Sequence, residues 1–314
     1  METNERLSFD RQRTTGGVIT DGYHLFFSNI WTVIKRLWIL AAVYALACGL
    51  IGYHVCNNML PKMMTPEGLQ PNLSDMWTEV GILAAYELFF LMMVVLMLSQ
   101  VINMFQEHRQ HNSITCRSIW PPLLHQHINR RMVIIVGWML LISVVASAVT
   151  KGAAWGMTAV TGTDSVMHSI PSLLVVALVA LLLTVALLPF SYTLMKNAIE
   201  GPLSFKLPVK GYAKAFAHEG MLFAVLLTTA IISLIVTVLM EAPALYITQA
   251  HVEAQHSVAL GDPNGLPSSI GVLTFLAFAF SGFFQAFIHT SVLFPFYYAY
   301  AKIEGEKGKS GNEG

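Results

Sequence analysis

Two acids and a group of histidines are the residues in this 314-residue chain with the most obvious chemical potential. Glu87 interrupts an apolar stretch, about seven residues in. An ionisable group there requires a partner, a proton or a wet cavity, because hydrocarbon does not solvate charge. At ~1.5 Å of rise per residue it sits roughly 7 to 12 Å below the outer boundary of its span, within reach of His54 or Lys151. Ser143, Ser147 and Lys151 recur every four residues and so share a helix face. A polar outer vestibule is one expectation for this group, and a packed bond between helices around a neutral Glu87 is the other.

His289 lies in another apolar run, beside Gln285, Thr290 and Ser291, and nearer the inner side. Joining it to Glu87 in one proton path requires intermediates, for which Gln100 and Asn103 are the polar candidates. A histidine bonded to a neighbouring helix is the simpler reading. His108, His111, His125 and His127 lie in a basic segment without close acids or cysteines, a pattern of solvated side chains rather than a metal site. His251, Glu253 and His256 do not share a helix face, so they are not expected to bind zinc either. No serine-hydrolase elbow, zinc-protease helix, phosphate loop or dinucleotide fingerprint is present, so no catalytic residue and no cofactor is assigned.

The elements that position these residues are membrane spans. The chain is 55% hydrophobic and only 11% charged, with mean hydropathy +0.59, far from a soluble domain. Six apolar runs are each long enough to cross a bilayer as a helix. They cover about 37–55, 80–104, 132–150, 171–195, 221–240 and 270–301. Residues 1–36 form a polar N-terminal and interfacial part without the pattern of a cleaved signal, 37–301 the six-helix domain, and 302–314 a Gly- and Lys/Glu-rich tail expected to be disordered. Between the fifth and sixth runs, Glu241 to Ser269 reads as a connection lacking lysine and arginine.

Of the 18 lysines and arginines, 16 fall on one side of these spans, and the excess of positive charge marks the cytoplasmic face. Both termini are therefore expected in the cytoplasm, in the cell (inner) membrane. Arg109, Arg117, Arg130 and Arg131 are candidate contacts for anionic lipid headgroups. Cys48, Cys56 and Cys116 suggest no disulfide framework, and zero formal net charge gives no support for a nucleic-acid partner.

One pattern recurs. Leu188-Pro189-Phe190-Ser191-Tyr192 precedes Lys196 and Ile199-Glu200-Gly201, and Phe294-Pro295-Phe296-Tyr297-Tyr298 precedes Lys302 and Ile303-Glu304-Gly305. Spacing from proline to lysine is identical, which points to an internal repeat. The expected fold is an all-α integral membrane protein with six transmembrane helices in three hairpin-like repeats, the first degenerate. Each is preceded by an interfacial amphipathic segment, as 21–36 is for the first.

The leading functional expectation is a non-enzymatic membrane protein that organises lipid or a membrane protein partner. The alternatives are a small transporter or channel around Glu87 and a membrane-embedded lipid-modifying enzyme using Glu87 or His289. Small-residue pairs, Gly49 with Gly52 and Gly152 with Gly156, are candidate helix contacts.

Overall fold

The computed structural model describes residues 13–64, 73–114, 126–161, 170–201, 211–261, 267 and 269–305. Arg117, Cys116, His125 and the last nine residues of the tail lie outside them. All regular structure among the described residues is helical. The helices are α1 (Thr15–Ser28), α2 (Ile30–His54), α3 (Leu60–Met64), α4 (Leu73–His111), α5 (Gln126–Thr161), α6 (Ile170–Glu200), α7 (Tyr212–Phe216), α8 (Glu219–Ala259), α9 (Ile270–Ser291) and α10 (Leu293–Gly305). A π-helical turn, Val55–Met59, joins α2 to α3. Six helical stretches are long and apolar enough to cross a membrane, so by length and composition this is a polytopic membrane protein.

Contacts at the helix ends give the direction of each neighbour. Arg36, early in α2, reaches Glu107, late in α4, at 2.6 Å. At the other ends of the same two helices His54 meets Glu79 at 2.8 Å. Early α5 meets late α6 where Arg131 donates to the Ala198 carbonyl at 3.1 Å. Along α8 and α9, Ser281 donates to the Met240 carbonyl and His251 pairs with Thr274. The spans thus form three antiparallel hairpins.

The main core lies where the basic ends of these hairpins meet. Phe105 stacks on Tyr297 at 4.4 Å between ring centres, and Phe294 packs edge-on against both Phe26 and Phe105. Leu222, Tyr192, Met132 and Ile303 belong to the same buried cluster. Farther along, the helices rely on one another less. Val144, Val145, Trp155, Leu174, Leu178 and Leu182 on the α5–α6 hairpin are exposed, the surface a lipid-facing hairpin presents.

Small residues set the closest approaches. A side chain on Gly49 or Gly52 would collide with Phe275 or Phe278 of α9, and one on Gly282 with Cys48 of α2. Gly49 and Gly52 therefore serve contacts within the chain, while Gly152 and Gly156 face open space.

Several boundaries differ from the sequence expectation. The connection drawn from Glu241 to Ser269 is helical as far as Ala259, with Pro243 inside α8. Apolar residues resume directly after Glu241, and proline inside a spanning helix is tolerated when a neighbour serves the loosened carbonyls. Ser281 supplies such a donor, to Met240. The basic loop also shrinks, because Arg109 belongs to α4 and Arg130 and Arg131 to α5. Lys302 to Gly305, expected in a disordered tail, complete α10. The segment 21–36, expected at the interface, divides at Asn29. Thr14 caps α1 by accepting from the Gly17 amide, and α1 then docks its Val18, Gly22 and Leu25 face inward. Phe27 and Trp31 remain outside, 62% and 72% exposed.

Candidate functional site

Three polar arrangements and one apolar crevice account for most of the expected site residues. The first arrangement is a clamp at the basic end. Arg36, 1% exposed, ion-pairs with Glu107, and Arg13 ion-pairs with Asp21 at 3.0 Å while its guanidinium lies 4.0 Å from the centre of the Tyr298 ring. The recurring Pro-to-Glu-Gly segments meet here. Tyr192 of α6 donates to Glu304 of α10, and Lys196 pairs with the same carboxylate at 2.6 Å. Conversely, Glu200 of α6 pairs with Arg109 of α4 at 2.5 Å and lies beside Tyr300 of α10. His108 is buried with its Nδ1 3.0 Å from the Tyr297 hydroxyl, whereas His111 is exposed. Such pairs tie the ends of α2, α4, α6 and α10 together across the clamp.

The second arrangement is at the opposite end of α2 and α4. Glu79 accepts from Lys62 and pairs with His54, each at 2.8 Å. His54 was expected beside Glu87. Its partner is instead Glu79, two helical turns nearer the start of α4. Glu87 itself is exposed on α4. Lys151 is also exposed and, with Ser147, lines a separate recess between α5 and α6. His251 bonds Thr274 at 2.9 Å, Glu253 bonds Gln249, and His256 is exposed. Among the described residues, no group of three or more His, Cys, Asp and Glu is placed to hold a metal ion.

The third arrangement was half visible in the sequence, which singled out His289 beside Gln285 but not Glu241. Glu241 accepts a hydrogen bond from Gln285 across α8 and α9, and His289, one turn farther along α9, is within its electrostatic reach. Around them is a cavity of about 380 Å³ whose wall includes Tyr44, Cys48, Phe90, Thr248, Phe278 and Ser281. Tyr44 and Cys48, one turn apart on α2, both line it. They lie eight and twelve residues beyond Arg36, a rise of roughly 12–18 Å, so the cavity is level with the middle of the α2 span. Ionisable groups at such depth cost roughly 2.5–3.5 kcal/mol on insertion scales and are associated with cavities and pathways. The signal in the sequence was weak: a single acid followed by six apolar residues, one of them proline.

The crevice lies between α4, α5, α6 and the α9–α10 junction. It measures about 380 Å³ and is walled by Leu98, Ile102, Ile135, Ser143, Phe190 and Phe296, among others. Met132 and Ala198 also line it, adjoining the basic end of its wall. There Arg131 holds the Ala198 carbonyl while its Nε is buried without a hydrogen-bond partner among the described residues. Arg130, beside it, is exposed. Of the candidate headgroup contacts, Arg109 is tied to Glu200, Arg131 reaches the crevice through the Ala198 carbonyl, and Arg130 is the residue before it on α5.

These features define a six-span helical membrane protein with an apolar crevice and a separate polar cavity. No protein-family model, curated protein or solved structure matches the chain.

Proposed function

We propose that this protein is a non-enzymatic integral protein of the cell (inner) membrane, with both termini in the cytoplasm, that binds and organises anionic lipid. The observation that carries the reading is the apolar crevice with Arg131 at its basic end. An acyl chain fits its lining of Leu98, Ile102, Ile135 and Phe296, and a headgroup phosphate at the same depth as Met132 meets the arginine pair. Guanidinium groups suit phosphate because their donors form a planar fork. The 16 cations assigned to one side support the cytoplasmic placement of that headgroup. The recurring segments at the clamp support descent of the hairpins from one unit, and the lipid site lies between copies.

The test is lipid retention by the full chain purified in detergent, read by mass spectrometry. Arg130→Glu with Arg131→Glu is expected to lower bound phosphatidylglycerol or cardiolipin at least severalfold, and added salt to lower it in the wild type. Arg131→Gln removes the charge alone where Arg131→Glu reverses it, and should also lose lipid, with the thermal midpoint of the lipid-stripped protein reporting any loss of the Ala198 contact. Equal retention by all three proteins would remove the reading.

A further inference from the structure

We propose that the mid-span cavity between α2, α4, α8 and α9 binds a lipophilic organic cation, with Glu241 as its counter-ion. The site is independent of the lipid crevice and shares no lining residue with it. Three observations carry the assignment. The first is charge: Glu241 is a carboxylate on the cavity wall, bonded to the neutral amide of Gln285. An amide donor stabilises a carboxylate without neutralising it, so the position favours a positive group. His289 stands within reach of that charge but is not among the lining residues.

The second observation is the character of the walls. Tyr44, Phe90 and Phe278 supply three aromatic rings, and Ile51, Ala244 and Leu245 supply aliphatic surface. Aromatic faces attract organic ammonium groups through the ring quadrupole, most strongly where water is excluded. A carboxylate combined with aromatic and aliphatic walls therefore selects a cation carrying its own apolar surface. It disfavours a bare inorganic ion, which would want a shell of oxygen ligands.

The third is size and placement. About 380 Å³ lies within the range of small-molecule sites, which are typically mostly apolar with a few placed polar groups. Here those groups are Glu241, Gln285, Ser281 and Thr248 beside the Tyr44–Cys48 pair.

Benzyltrimethylammonium and its uncharged isostere neopentylbenzene provide the probe pair. The full-length protein in zwitterionic-lipid discs should bind the cation saturably, and Glu241→Gln should weaken that binding by at least about tenfold. Neopentylbenzene should not distinguish the two proteins. A second measurement does not depend on the variant folding. In the wild type, saturating cation should slow alkylation of the cavity-lining Cys48 severalfold, read on peptides by mass spectrometry. Absence of saturable cation binding, equal binding by Glu241→Gln, loss that follows Glu87→Gln instead, or unchanged Cys48 alkylation at saturation would each overturn the assignment.

Discussion

Arg36 shows how a charged residue can belong to the core of a membrane protein. It is 1% exposed and is held by Glu107 at 2.6 Å, so its charge is compensated inside the protein. Glu107→Gln removes the carboxylate that meets this guanidinium at 2.6 Å and is expected to cost up to about 3–5 kcal/mol. Replacing both, as Arg36→Met with Glu107→Leu, should cost less, because the two facing charges are removed together. Thermal midpoints of the three variants in one detergent check this, and equal losses for single and double variants would contradict it. At this scale the sequence was only partly legible. Polar residues within apolar runs drew attention to His54, Glu87 and His289, but side-chain direction was hidden, and direction decides partners. His54 points to Glu79 and Glu87 is exposed on α4. Glu241, which does line a cavity, was passed over because it was read as the first residue of the connection after the fifth span.

The helices themselves were more legible, since runs of apolar residues report length directly. Their ends were less so. Hydropathy marks where a helix leaves an apolar environment, whereas hydrogen bonding continues the helix well beyond that level, as in α8 to Ala259 and α4 to His111. The docking of α1 was also hidden, because it depends on a distant glycine-to-proline approach. A methyl group on Gly22 would lie 2.5 Å from Pro295 Cα, a backbone atom that no rotamer change can move aside. Gly22→Ala should therefore separate α1 from α10 and expose it to protease, with a loss of stability of roughly 1–3 kcal/mol, as for other overpacked sites. Gly16→Ala is its control, because nothing lies within 4 Å of that position, and it should be neutral or slightly stabilising. Limited proteolysis and thermal unfolding of the two variants read the difference, and identical behaviour would show that the close approach is not maintained.

Across the whole molecule, the basic end is fastened, whereas the α5–α6 hairpin loosens away from it. Buried rings and ion pairs join α1, α4, α6 and α10 at the clamp, while the far part of the α5–α6 hairpin turns apolar side chains outward. Six spans and their order could be read from composition, and the recurring Pro-to-Glu-Gly segments were read as a repeat rather than as parts of one clamp. Their reciprocal meeting, Tyr192 with Glu304 and Tyr300 beside Glu200, could not, because one sequence gives spacing along the chain and not proximity across it. The crevice is a product of the same assembly: its walls come from three hairpins, and none of its lining residues is unusual alone. Filling it is the most direct test of the proposed function. Ser143 lines the crevice and is exposed to it, so Ser143→Trp occupies the space without touching the arginines or the clamp. Phospholipid retained per protein chain after identical detergent washing is the measurement to make. A severalfold fall in bound anionic lipid, with the thermal midpoint of the lipid-stripped protein unchanged, is the predicted result, and retention equal to that of the wild type would contradict the lipid-binding account.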